Sequence, residues 1–274
     1  MLKLVNNSCY FEIIINALHE ALNELNIEHE IVTNYKNNDN KNVYLICTTH
    51  ENRTLPKRYI SYNFEQLITN KVWQPIFFEN LSKAEIVFDY SLENIKILKE
   101  HNINAYFLPL GYSKSMEYIK TIEEKSIDFT FLGAINNIRY NKLQSLIDIY
   151  YKSKDKIVIS NNYWGEDLQN LYKKTKIGLN IHYYSGKTIL EVHRIIPLIA
   201  NKILVISEKS DDEWYNNKYE KIINFFENEN YSIDCLKTLK HCKIEEIVDE
   251  RYQELITKHK YIDYVKEIIH LLNK

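Results

Sequence analysis

Apolar residues fall in short runs, and their spacing switches repeatedly between the strand period and the helix period. Runs at 2–5, 27–32, 43–49, 58–64, 85–89 and 105–108 predict strands. Phe11, Ile14, Ile15, Leu18, Leu22 and Leu25 recur at helical spacing, with Ser8 as the expected cap. Helices are also expected at 74–82 and from Ser91, a natural N-cap, to about residue 101. Residues 113–127 are polar, charged and weakly patterned, which suits a linker or bridging helix. The alternation then restarts. Strands are predicted at 128–132, 156–160, 177–181 and 203–206, with helices at 139–151, 166–174 and 188–200. Thr188 is the expected cap of the last helix, and Ser210 of a further one with Asp211, Asp212 and Glu213 in its first turn. Strand and helix alternating in this way predict an α/β protein of two units, each a parallel sheet covered on both faces.

The stretch 176–209 concentrates the candidate chemistry. Its helix is apolar on most faces yet carries Glu191, His193 and Arg194. Polar groups on a buried helix need partners. Ligands of open α/β sheets bind outside the carboxyl ends of the strands, and Asn180, His182 and Glu208 fall near two such ends. A buried carboxylate there can accept two hydrogen bonds from a ribose diol, and Lys187 or Arg194 can face phosphates. The plain alternative is that Glu191 and Arg194, three residues apart, pair with each other. His193 reads as a packed core histidine.

Earlier, the segment FTFLGAINNIR at 129–139 reads as strand, glycine turn and helix start. Gly133 followed by Arg139 suits an anion at a helix N-terminus; a surface arginine is the alternative. His50, Glu65 and Asp89 each close a strand in the first half and could face a cleft; Asp89 followed by Ser91 is equally an ordinary strand-to-helix cap.

Composition narrows the classes without choosing one. The 274 residues are 45% hydrophobic and 26% charged, a globular balance with a net charge of −2. No overall basic field exists to hold a nucleic-acid backbone. Four cysteines without a CxxC pair give neither zinc spacing nor a disulfide framework, and Cys9 and Cys47 read as buried thiols. No signal-peptide pattern and no run of about eighteen apolar residues is present, so a soluble, cytoplasmic protein is expected. Walker A, GxGxxG, GxSxG and DxD patterns are all missing.

Taken in order, DYSLENIKIL, YFLPLGYS, FTFLGAINNIRYNKL, IGLNIHYYSGKTILEVHRI and ILVISE resemble glycosyltransferases of the GT-B fold. The closest pattern is the spore-maturation-protein-like and large-DNA-virus type, over roughly residues 58–215. The resemblance implies two Rossmann-like domains facing a cleft, at 1–112 and 128–250, with 113–127 as linker. It implies a C-terminal helix at 251–274 returning to the first domain. It also implies a nucleotide-diphosphate-sugar donor held by the second domain; with no DxD and no metal cluster in the sequence, transfer without a metal or other cofactor is expected. Glu191 would bind the ribose, Arg139 would sit near the diphosphate with Gly133, Lys187 and Arg194 about it, and Asn180 and His182 would border the site. An inverting enzyme would need a base on the first domain, for which His50 and Asp89 are the candidates. Two departures stand out: many relatives carry a glutamate where Tyr183 stands, and no glycine precedes Gly111. A non-catalytic nucleotide-binding sensor or scaffold of the same fold is the alternative function. The acceptor is not implied, and a nucleic-acid partner is not expected.

Overall fold

The computed structural model describes residues 1–49, 54–69, 73, 75–119, 125–150, 157–226 and 243–272, without the side chains of 145, 146, 149 and 150. The chain divides into two compact units, one of residues 1–115 and 260–274, the other of residues 116–259.

In the first unit, β1 (Leu2–Val5), β2 (His29–Val32), β3 (Val43–Ile46), β4 (Tyr59–Asn63), β5 (Ile86–Asp89) and β6 (Ala105–Phe107) form one sheet in the order β2-β1-β3-β4-β5-β6. All neighbours run parallel. The helices are α1 (Glu12–Glu24), α2 (Pro75–Ser82) and α3 (Leu92–Glu100). Ser91 caps α3, its hydroxyl accepting from the Glu93 and Asn94 amides. Ser8 does not cap α1: the cap position is Phe11, which offers no side-chain acceptor.

The second unit contains β7 (Ile127–Leu132), α4 (Asn137–Tyr150), β8 (Ile157–Ser160), α5 (Gly165–Lys174), β9 (Thr175–Asn180), α6 (Val192–Ala200), β10 (Leu204–Glu208), α7 (Glu213–Tyr219), β11 (Asn224–Phe226) and α8 (Ile244–Lys258). Its five strands are ordered β11-β10-β9-β7-β8 and again all parallel. Phe129, Phe131, Ile177, Leu179, Leu204 and Ile206 build its core from three adjacent strands.

The stretch 251–274, expected as one helix, forms the end of α8 and a separate helix, α9 (Tyr261–Leu272). The α9 helix returns to the first unit. There the Tyr261 amide donates to the Tyr112 carbonyl at 2.8 Å, and its hydroxyl meets that of Tyr62 at 3.3 Å.

Both sheets share one topology. The first strand of each unit lies between the second and the third, so the winding direction reverses beside it. That reversal opens a crevice at the carboxyl ends of the strands, where such sheets hold ligands. In the second unit the reversal lies between β7 and β9.

Candidate functional site

The residues at that edge form one buried polar network. Ser207 and Asn180 are register partners on β10 and β9. Asn180 sits at the centre, fully buried. Its Nδ2 donates to Ser207 Oγ at 2.9 Å and to Glu191 Oε2 at 3.0 Å, and its Oδ1 accepts from Arg194 Nη1 at 2.7 Å. Both donors of this one amide, and one lone pair of its oxygen, are therefore committed to the site.

Glu191 reaches the network because it is not helical. The expected helix from Thr188 starts four residues later, at Val192. Thr188 is instead tied to Asp211, whose carboxylate accepts its amide at 2.8 Å. Glu191, with φ −78° and ψ 66°, is the centre of an inverse γ-turn closed by Val192 N–H on the Leu190 carbonyl at 2.9 Å. The turn places the carboxylate at the mouth of α6. The helix itself lies hard against the sheet: a Cβ at Gly178 would sit 2.6 Å from Leu198 Cδ1. Ser210 likewise yields its predicted capping role to Asp212, which accepts from the Tyr215 amide.

His182 lies 2.9 Å from Glu191 Oε2 through Nδ1, and 3.3 Å from the Lys209 carbonyl through Nε2. Both partners can only accept, an arrangement that favours a proton on each ring nitrogen and so the imidazolium form. Burial opposes that charge, but Glu191 and Glu208 outweigh it and raise the pKa. The His182 amide also donates to Glu208 Oε2 at 2.7 Å, while Glu208 Oε1 pairs with Lys142. For Glu191, burial pushes the carboxyl up, yet His182, Arg194 and Arg139 hold it well below the usual carboxylate range.

Arg139 is only 2% exposed. Its Nε donates to the Ile181 carbonyl at 2.9 Å and its Nη1 to that of Ala134 at 2.8 Å. Its guanidinium lies 5.2 Å from the Phe131 ring centroid and 5.1 Å from that of Tyr183. Burial and the neighbouring Arg194 lower its pKa to about 10. Gly133 makes room for both arginines: a Cβ there would stand 2.9 Å from Arg194 Nη2 and 3.2 Å from Arg139 Nη1. Asn136 caps α4 by accepting the Arg139 amide at 3.0 Å, and ties the loop after β9 by donating to the Tyr183 carbonyl at 2.6 Å.

The structure thus gathers Gly133, Arg139, Asn180, His182, Glu191 and Arg194 at one edge. Lys187 stays exposed in the loop 182–187. His193 is next to the site, with burial pushing its pKa down to about 4 and its Nδ1 lacking a partner among the described residues. Sequence reasoning missed Ser207, Asn136 and Lys142. Asn136 had a signal, standing three residues before Arg139 as a cap does. Ser207 had one in closing an apolar strand.

The first-half candidates fare differently. His50 lies outside the described residues. Asp89 is a bracket of the fold: Oδ1 accepts from the Ser91 amide at 2.8 Å and Asn94 Nδ2 at 3.0 Å, and Oδ2 from Asn63 Nδ2 at 2.7 Å. A carboxylate so committed is a poor general base. Cys47 is buried as expected, but Cys9 is exposed; Cys235 and Cys242 lie outside the described residues. Among the described residues no three His, Cys, Asp or Glu side chains are placed to hold a metal ion, and no helix is long and apolar enough to cross a membrane.

No protein-family model matches the chain. Two uncharacterized proteins of Acanthamoeba polyphaga mimivirus are similar to it. One is 27% identical over 241 residues, covering 82% of this chain and 76% of the relative. The other is 29% identical over 192 residues, covering 69% and 65%. Among solved structures, sucrose-phosphate synthase from Thermosynechococcus elongatus matches with a TM-score of 0.59 and 9% identity, covering 99% of this chain and 98% of that one. AviGT4, a glycosyltransferase involved in avilamycin A biosynthesis, matches with a TM-score of 0.61 and 10% identity, covering 98% and 96%. The E. coli trehalose-6-phosphate protein bound with UDP-2-fluoro glucose matches at 0.55 and 10%, covering 96% and 77%. The fold is that of the GT-B glycosyltransferases. At these identities the likeness establishes the fold alone.

Proposed function

We propose that the chain is a glycosyltransferase that takes its sugar from a nucleoside-diphosphate donor held at the β7–β9 edge. One observation carries this reading. Glu191 keeps a buried carboxylate oxygen, Oε1, with no hydrogen-bond partner among the described residues, inside a cluster where cations outnumber carboxylates. Buried Arg139, Arg194 and His182 face only Glu191 and the partly buried Glu208 in the network described above, while Lys142, about two-fifths exposed, pairs with Glu208 from the rim. A buried acceptor without a donor costs about 1–3 kcal/mol, and surplus buried cations call for an anion. A nucleoside diphosphate answers both needs at once. A ribose hydroxyl donates to Glu191 Oε1, and the diphosphate meets the two arginines beside the N-terminus of α4. Exposed Lys187 is long enough to join it from the loop.

In this reading the leaving diphosphate is stabilised by fixed cationic side chains, the service a divalent ion gives in other transferases, so no metal cofactor is required. The fold shared with AviGT4, and with a protein bound with UDP-2-fluoro glucose, supports the donor class. The test is turnover of a panel of nucleotide sugars, with Glu191→Ala and Arg139→Ala as controls. Hydrolysis or transfer with at least one donor, lost in both variants, is expected. Nucleotide binding without turnover of any donor would leave a binding protein and end the enzyme reading.

A further inference from the structure

Two histidines meet in the first unit, His19 on α1 and His29 on β2. The turn between them is a Schellman motif. The Ile27 amide donates to the Leu22 carbonyl at 2.9 Å and the Asn26 amide to that of Asn23 at 3.0 Å, with Asn26 left-handed at φ 56°. This closed turn returns the chain to β2 beside α1 and sets the two rings 4.9 Å apart between centroids, at 70°. Both side chains are half-buried, so an ion from solvent can reach them.

Their partners fix the tautomers. The Ile27 carbonyl only accepts, so the His29 Nδ1 lying 2.7 Å from it carries a proton, and in a neutral ring Nε2 is bare. That bare nitrogen faces His19 Nδ1 at 2.8 Å, and His19 Nε2 meets the Asn23 side-chain amide at 3.0 Å. His29 therefore has both marks of a metal ligand: an N–H held by a backbone carbonyl, and a lone pair turned towards a second imidazole. His19 reaches the same state when its proton moves from Nδ1 to Nε2 and the Asn23 amide turns its oxygen to accept it. No proton is gained or lost in that exchange, and two neutral rings then offer two lone pairs to one ion.

The separation of the nitrogens favours one coordination geometry. Two metal bonds of about 2.0 Å at a right angle hold their nitrogens about 2.8 Å apart, whereas the tetrahedral angle of zinc parts them to about 3.3 Å. The observed 2.8 Å is that of neighbouring positions in a square-planar or tetragonal complex. Each ring turns until its lone pair points at the ion and not at the other ring.

We propose that His19 and His29 together bind copper(II), with nickel(II) as the weaker occupant and water in the remaining positions. Copper(II) is the divalent first-row ion that such ligands hold most tightly, and it adopts this geometry. The ion bridges α1 and β2, independently of the transferase reading.

The test is copper(II) titration of the full chain without an affinity tag, read by electron paramagnetic resonance and by broadening of amide NMR signals. A tetragonal spectrum with nitrogen couplings from two imidazoles is expected, with broadening centred on residues 19 and 29. Nickel(II) and zinc(II) bind at least about tenfold more weakly. His19→Gln and His29→Gln each weaken copper at least about tenfold. Should either fail to fold, the wild-type broadening still decides, as does Asn23→Ala at an exposed position, which removes the outer bond to His19 and costs about tenfold. Broadening centred elsewhere, which would mean an adventitious ion only, would overturn the proposal. So would unchanged affinity in the variants, or zinc bound as tightly as copper.

Discussion

Arg139 Nη2 stands 3.6 Å from Glu191 Oε1, close enough for charge attraction and too far for a hydrogen bond. The carboxylate is thus held ionised with one oxygen left to accept. If that oxygen takes a ribose hydroxyl, ribonucleoside diphosphates bind better than their 2′- or 3′-deoxy analogues. A hydrogen bond to a charged group contributes about 1.5–3 kcal/mol, so about tenfold or more in Kd is expected. Glu191→Gln should abolish the preference. Calorimetry with matched nucleotides checks this, and equal affinities for both forms in the wild type would remove the ribose contact.

Gly133→Ala should damage the site more than the fold. Its Cβ would contact Arg194 Nη2 at 2.9 Å, and the glycine's φ of +155° disfavours any side chain. Overpacking of this kind costs about 1–3 kcal/mol. Here the arginine must move, and with it the bond to Asn180. Nucleoside-diphosphate affinity is expected to drop about tenfold or more, with the monophosphate less affected. Titration of both nucleotides against the variant decides it.

Much of this was legible in the residues, and the failures can be traced to particular bonds. The runs 43–49 and 177–181 read as buried strands because a strand covered on both faces is apolar throughout. Glu191 stood out as a charge beside an apolar helix. Its pairing was not legible: the three-residue spacing to Arg194 suggests a helical pair, but Glu191 lies before the helix in a γ-turn, so that spacing rule does not apply. Thr188 looks like a good cap, and only its distant partner Asp211 explains why it is not one. Asp89 before Ser91 reads as an ordinary strand-to-helix cap as readily as a base, and the bond from the Ser91 amide bears out the cap, while the Asn63 amide was not legible. For Thr188 and for the Asn63 contact of Asp89, a bond distant in sequence decided what the local pattern left open.

The imidazolium at His182 gives a pH signature. Its raised pKa means the native state binds the proton more tightly than the unfolded chain. Stability from this group is full below the ordinary histidine value of 6.5 and is lost as pH rises through the higher native value. His193 runs the other way, its lowered pKa removing stability as pH falls below 6.5. Comparing wild type with His182→Gln isolates the first effect. The stability gap between them should shrink as pH is raised above 6.5, measured by denaturant unfolding at each pH. A gap that widens with pH would mean that His182 is neutral in the native state.

Asp89→Asn separates bracket from base. The substitution puts a donor where the Asn63 amide, the Asn94 amide and the Ser91 N–H all need an acceptor. At least one buried donor is then left unsatisfied, at about 1–3 kcal/mol each. The first unit should unfold at lower denaturant, while nucleotide binding by the second unit stays unchanged. If the proposed transferase activity holds, the surviving folded protein should turn over donor at a rate near that of the wild type, because the bonds of Asp89 hold β4, β5 and α3 together. A general base would give the opposite pattern. Stability would be nearly preserved and kcat would fall by the factor of about 10²–10⁴ that such a base supplies. Unfolding curves and kcat on the same preparation distinguish the two.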